Sequence, residues 1–371
     1  MRTIRRLLYR DIAASVLFVA VAFLSLFYFI DFIDLVDEID RAQGRTIGYA
    51  VLSALYEVPG HAYELMPIAV LIGTIYSLAR LAQNSEFTIL RTGGLGPRRA
   101  LLLLAALGVA FGVVTFVIGD IAAPASERQA VLLKASKSGG MRLSRAGAWL
   151  KEKRPAADGE HSVSVNVGGM TADGSLSDIR IFEFDAQGHL VMRLSAPVGR
   201  VRATGVWALE QALRVNFSSG PASAEDQVQE STHARLDWPT SLNARVVAAA
   251  LLPAETMTTM DLWRYSRHLD SQEQAAQRPQ ILFWKRAFYP LACIVMVALA
   301  LPFAYLHARA GGISLKVFGG IMLGISFVLL NNVAGHIGVL GDLTPWLVSA
   351  VPSLLYLLLS LGAFAWLVRY R

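Results

Sequence analysis

The stretch Ile12-Ala-Ala-Ser-Val-Leu-Phe-Val-Ala-Val-Ala-Phe-Leu-Ser-Leu-Phe-Tyr-Phe-Ile30 contains no charged residue. At about 1.5 Å of rise per residue, roughly 20 apolar residues cross a bilayer core of ~30 Å, so this run by itself predicts a transmembrane helix. Further uncharged runs follow at Leu65 to Ala79, Ala100 to Gly119, Ala287 to Leu306, Val317 to Gly335 and Leu343 to Val368. The second is short and reaches full length by starting near Pro59, with His61 and Glu64 at headgroup level where they stay wet. A hydrophobic content of 54% agrees with this reading. The expected architecture is a polytopic α-helical membrane protein, three spans on either side of a long insert.

Orientation follows from the basic residues, because Lys and Arg close to span ends stay on the cytoplasmic side. Arg2, Arg5, Arg6, Arg10, Arg80, Arg91, Arg98, Arg99, Arg309, Lys316, Arg369 and Arg371 all fall on one side. The short loop between spans one and two has Arg41 and Arg45 among Asp31, Asp34, Asp37, Glu38 and Asp40. Both termini are therefore expected in the cytoplasm and the insert outside. The net charge of +6 is accounted for by this topology and gives no reason to expect nucleic acid. The first run is followed by acids instead of a small-residue cleavage site, so it is expected to be retained as a span. A single cysteine, Cys293 in the fourth span, rules out an intrachain disulfide.

In the insert the pattern changes to alternation. Val163, Val165 and Val167 alternate with polar residues, as do Leu190, Met192 and Leu194, and Leu213, Val215 and Phe217. Turn signals separate the runs: Asp158-Gly159, Gly168-Gly169, Asp173-Gly174, Gln187-Gly188, Thr204-Gly205 and Ser219-Gly220-Pro221. An antiparallel all-β sandwich or jelly roll is expected over 125–257, with spans one to three in 1–124 and a linker helix plus spans four to six in 258–371. That linker, Thr258 to Ser271, places Leu262, Tyr265 and Leu269 on one stripe with Asp261 in its first turn.

Catalytic signatures are missing. There is no G-x-x-x-x-G-K-[ST], H-E-x-x-H, C-x-x-C or G-x-S-x-G, and the histidines are scattered, so neither a nucleotide site, a catalytic residue nor a metal site is expected in this chain. A membrane transferase using scattered carboxylates remains the alternative from the enzyme class. On the cytoplasmic side, a short amphipathic helix is expected near 84–92. Asn84 or Ser85 caps it, Glu86 suits its positive end, Phe87 and Leu90 share an apolar face, Arg91 suits its negative end, and Gly93-Gly94 stop it. It either rests on headgroups or docks a cytoplasmic partner. Gly96-Pro97 then opens the third span.

Val58-Pro59, Pro67 with Leu71-Ile72-Gly73, Leu81-Ala-Gln-Asn-Ser-Glu86, Gly93-Gly94, Ala123-Pro124 with Glu127, Trp238-Pro-Thr-Ser-Leu242, Leu252-Pro253 and Pro290 together resemble the permease family of the lipopolysaccharide export ABC transporter. The resemblance covers nearly the whole chain. The form of the elbow and the Trp238 to Leu242 stretch favour the LptG branch of that family over its LptF paralogue; the alternatives are that paralogue or another lipid or lipoprotein exporter permease. The resemblance implies a non-hydrolytic subunit in the bacterial inner membrane that pairs with LptF. It further implies two copies of the ATPase LptB, which bind ATP and Mg, and a periplasmic jelly roll that passes lipopolysaccharide toward LptC and LptA.

Glu86 matches the family's ATPase-coupling glutamate, with Ser85, Phe87, Leu90 and Arg91 around it. Lys134, and Arg286 or its neighbour Lys285, match basic positions that meet substrate phosphates; the alternative for each is snorkelling to phospholipid headgroups. Family members can carry lysines at the outer end of span one, where this chain has its acidic run. A phosphate contact there would need Arg41, Arg45 or a bridging divalent cation.

The implied cargo sets a scale. At about 0.8 kcal/mol per CH₂, one acyl chain of a dozen carbons represents on the order of 10 kcal/mol, so an apolar enclosure must replace the lipid around it. Phe18, Phe23, Phe27 and Phe29 in span one suit such a wall, and Gly319, Gly320 and Gly324 in span five suit close helix approach; plain lipid-facing and packing roles suit them equally.

Overall fold

The computed structural model describes the chain except residues 1, 42–45, 85, 87–88, 90–91, 93–95, 138–140, 143–146, 157–158, 172–174, 203–204, 218–227, 243–245, 248–253, 272–275, 306–311 and 370–371. Among the described residues six helices are long and apolar enough to span a membrane. Helix α1 is Arg2–Arg41 and α2 is Ile47–Gln83. Helix α3, Pro97–Val117, continues through a π-helical turn, Ile118–Ala122, into α4, Ala123–Lys137. After the inserted sheet come α5, Thr259–Ser271, then α6, Gln277–Tyr305, α7, Ile313–Leu340, and α8, Pro345–Arg369. The chain divides into two compact units, Met1–Glu127 with Gln277–Arg371, and Arg128–Ala276.

Span two begins further upstream than its uncharged run suggests. Helix α2 starts at Ile47, so Pro59 and Pro67 lie inside it. Gly96 and Pro97 open α3 as expected, Gly96 as the extended N-cap and the proline in the first turn, where its missing N–H has no intrahelical partner to lose.

The helical core gathers Leu8, Ile12 and Val16 of α1, Val70 to Leu78 of α2, Leu104 of α3, Cys293 to Leu301 of α6 and Phe327 of α7. Without a hydrophobic drive between helices in lipid, close backbone approach supplies much of the contact. A Cβ on Gly73 would stand 2.6 Å from the backbone of Val16, and one on Gly112 would stand 2.8 Å from the Pro290 carbonyl oxygen. Span five follows the same rule against α2. A Cβ on Gly320 would lie 2.6 Å from Ile75 and one on Gly324 3.1 Å from Ile68, whereas at Gly319 the nearest atom, on Phe303, is 3.8 Å away. Cys293 is buried, its sulfur 3.3 Å from the Thr115 hydroxyl.

The insert is an antiparallel sheet: β1 Met141–Arg142, β2 Ala148–Ala156, β3 Gly159–Met170, β4 Leu176–Phe184, β5 Leu190–Arg202, β6 Val206–Phe217 and β7 Val228–Pro239. The expected jelly roll is realised among the described residues as one sheet in which β2 to β7 pair in sequence order and β1 shares the edge of β3. Its core takes Leu150, Val163, Val165, Val167, Ile179, Ile181, Met192, Leu194, Trp207 and Leu209, so the alternation in β3 and β5 is the core pattern.

Two details depart from the sequence pattern. Gly168-Gly169 is no turn; both residues lie inside β3, where a Cβ on Gly168 would come 2.9 Å from the Cβ of Asp178. Glycine here serves close approach to a neighbouring strand. In β6, Gln211 has φ +50°, and this left-handed residue breaks the alternation, leaving Leu213, Val215 and Phe217 half-buried. Gly159, Gly188 and Gly205 do take positive φ at the expected turns. Asp158, Asp173-Gly174, Thr204 and Ser219-Gly220-Pro221 lie outside the described residues.

The Trp238 to Leu242 stretch acts as a latch. Glu152, 2% exposed, accepts hydrogen bonds from Thr240 Oγ1 at 2.7 Å and from Ser241 N and Oγ at 2.8 Å, and pairs with Arg154 at 3.0 Å. Arg154 lies over the Trp238 ring at 4.6 Å, and Trp207 Nε1 donates to the Leu242 carbonyl at 2.9 Å. A buried carboxylate is tolerable only when so satisfied. Helix α5 is capped by Thr258, whose hydroxyl accepts from Asp261 N at 3.2 Å, and buries Leu262 and Leu269 as expected. Burial lowers the pKa of His268 below its ordinary value, opposed by the nearby Glu152 charge.

Candidate functional site

The elbow after α2 is described at Glu86, Ile89 and Thr92; Ser85, Phe87, Leu90, Arg91 and Gly93-Gly94 lie outside the described residues. Asn84 closes α2 as its C-cap, and its amide stands 3.4 Å from Glu86 Oε1. Glu86 is helical and exposed. It lines a cleft of about 500 Å³ together with Arg6, Arg10, Asp11, Arg80 and Leu81.

What sets that cleft lies far away in sequence and carries no motif. Asp11, one residue before the first uncharged run, accepts from Ser77 Oγ and pairs with Arg80, tying the start of α1 to the end of α2. Tyr9 donates to the Leu103 carbonyl at 2.8 Å, which ties the same end of α1 to α3. A charged hydrogen bond between partly desolvated groups is stronger than one in bulk water. The elbow thus leaves a three-helix end cross-linked by side chains, and Glu86 and three arginines line the cleft there.

The expected substrate residues divide between the units. Lys285 and Arg286 stand half-buried on α6, and Lys285 Nζ donates to Asn332 Oδ1 of α7 at 3.0 Å. Lys134 is exposed on α4, in the unit that carries the sheet. Arg41 ends α1, and its side chain lies outside the described residues, as does Arg45. Phe27 does not face lipid alone; its ring packs 5.1 Å from the ring of His61.

A further cluster stands at the other end of the α1–α2 pair. Asp31 Oδ2 of α1 is 2.8 Å from His61 Nε2 of α2, and one donor atom from each of Asp31, Glu57 and His61 lies within 4.8 Å of the others. The only sign of it in the sequence is the four-residue spacing of Glu57 and His61, which puts both on one helix face.

A family model described as lipopolysaccharide export system permease LptF/LptG matches residues 6–369. The chain belongs to this family. Among curated relatives, it is 28% identical to the lipopolysaccharide export system permease protein LptG of Haemophilus influenzae over 316 residues, 84% of each chain. It is 25% identical to the protein of the same description from Escherichia coli K12 over 355 residues, 95% of each chain. As an LptF/LptG permease of the lipopolysaccharide export system with six apolar helices, it is a multi-pass protein of the inner membrane. The architecture agrees with that family in its six spans and β domain.

Proposed function

We propose that this chain is the LptG-type permease of a lipopolysaccharide-exporting ABC transporter, paired with LptF and driven by two LptB subunits that bind ATP and Mg. Both termini lie in the cytoplasm, in keeping with the arginines at that side, and the β domain lies in the periplasm, where it delivers lipid to LptC and LptA. The two relatives named above carry the LptG description, in keeping with that branch, as is the form of the elbow.

The observation that carries the coupling reading is the cleft at Glu86. Glu86 lines the same cleft as Arg6, Arg10 and Arg80, and Arg80 is joined through Asp11 to α1. A push delivered to the elbow therefore reaches α1 and α2 together instead of bending α2 alone. The chain supplies the apolar enclosure and rim cations, with Lys134, Lys285 and Arg286 as the phosphate contacts; the ATPase supplies the free energy.

Glu86→Ala tests this reading in the reconstituted complex. It is expected to weaken LptB association about tenfold or more, or to uncouple ATP hydrolysis from lipid release, since truncating one member of an interfacial charge pair leaves the other unsatisfied. Unchanged association together with unchanged release would overturn it.

A further inference from the structure

We propose that Asp31, Glu57 and His61 form a binding site for a first-row divalent cation such as Zn²⁺ or Mn²⁺, held between α1 and α2. The geometry is that of two facing residue pairs, one on each helix. Phe27 and Asp31 are four residues apart on α1, Glu57 and His61 four apart on α2, and each spacing places its two side chains on one helix face. The contacts set these faces against each other: Asp31 meets His61 at 2.8 Å, and the Phe27 ring meets the imidazole at 5.1 Å.

The donor set then defines the ion. One imidazole with two carboxylates is a mixed nitrogen and oxygen set, which suits zinc, manganese or iron; calcium and magnesium take oxygen ligands. The donor atoms lie within 4.8 Å of one another; an ion that bonds at about 2.0–2.2 Å holds tetrahedral donors roughly 3.4 Å apart, so binding would draw the side chains together by up to about 1 Å or a little more. The two carboxylates offer two negative charges, which one divalent ion neutralises.

The site is partly withdrawn from water, the side chains of His61 and Asp31 being 23% and 16% exposed. The Phe27 ring also restricts how the imidazole turns. A packed shell that orients ligands raises affinity. Another carboxylate stands against the same turn of α2. Gly60 lies between Glu57 and His61, and a Cβ there would come 3.1 Å from Glu127 Oε1. The glycine lets the chain that follows α3 bring this acid against the helix. Three protein donors leave a fourth position for water or another anionic oxygen.

The full chain, purified in detergent with its co-purifying subunits and stripped with chelator, would be titrated with CoCl₂ and ZnCl₂. Wild type is expected to take up Co²⁺ with the visible d–d absorption of a low-symmetry nitrogen and oxygen site, and Zn²⁺ should displace it. His61→Gln keeps a hydrogen-bond donor for Asp31 but removes the imidazole; together with Glu57→Gln it should lower affinity roughly tenfold or more and abolish the absorption. Glu57→Gln decides the matter alone should the first variant fail to assemble. Equal, weak uptake by wild type and variants would mean an adventitious ion only and would overturn the proposal. So would a Co²⁺ spectrum that survives loss of His61, or a wild type that binds neither metal.

Discussion

The two ends of the α1–α2 pair handle charge in opposite ways. At one end the Asp11 carboxylate meets Arg80 and the Ser77 hydroxyl, so the counter-charge and the donors are built into the helices themselves. At the other end two carboxylates, Asp31 and Glu57, converge on one imidazole. The first arrangement closes on itself and makes a rigid base for the elbow. The second brings two carboxylates and an imidazole nitrogen within 4.8 Å of one another, the donor arrangement on which the cation-site proposal rests. Between the ends, Gly73 packs against the Val16 backbone, one of the close approaches that hold the two helices at contact distance.

Gly73→Val attacks that shared support and carries the largest expected effect. The added Cβ would overlap backbone, which cannot swing aside as a side chain can, so a cost of about 3 kcal/mol is expected. Thermal unfolding of the detergent-purified complex would show it, and Asp11–Arg80 and Asp31–His61 contacts should loosen together. Loss at one end only would show that the ends are independently held.

Asp11→Ala isolates the first end. It leaves Ser77 and Arg80 without their acceptor, at a cost of about 2 kcal/mol, while Asp11→Asn should cost less because its amide oxygen still accepts from Ser77. Melting temperature reads both. Metal uptake at the opposite end should be unchanged, and a change there would break the contrast drawn between them.

Phe27→Leu makes the smallest change. It keeps an apolar side chain against His61 but loses the ring contact, and about 0.5 kcal/mol of stability is expected to go with it. A weaker Co²⁺ affinity with a shifted absorption would separate an orienting role for the ring from simple packing.

Much of this was legible from local pattern. The uncharged runs became spans, Val163, Val165 and Val167 became core, and Gly96-Pro97 opened a helix. The misreadings were equally local. Gly168-Gly169 carries the composition of a turn, yet it lies inside a strand, where Gly168 serves the approach of Asp178 on a neighbouring strand. In β6 the alternation stopped mattering at Gln211 because a left-handed backbone turned the strand's faces there. The Glu86 region was marked by its capping and charge pattern, but Asp11, far away in sequence, was not. Nor did the scattered histidines reveal that His61 stands beside Asp31.

What the sequence alone determined is which segments leave water: a run of uncharged residues partitions into lipid by its own composition, and an alternating run shields one face, whatever lies nearby. What only the tertiary structure decided is which side chains meet. The rotation of an almost uniformly apolar helix about its axis leaves its partition into lipid nearly unchanged, so composition does not set it. Contacts such as Gly73 on Val16 do set it, and they thereby bring Asp11 to Arg80 at one end and Asp31 to His61 at the other.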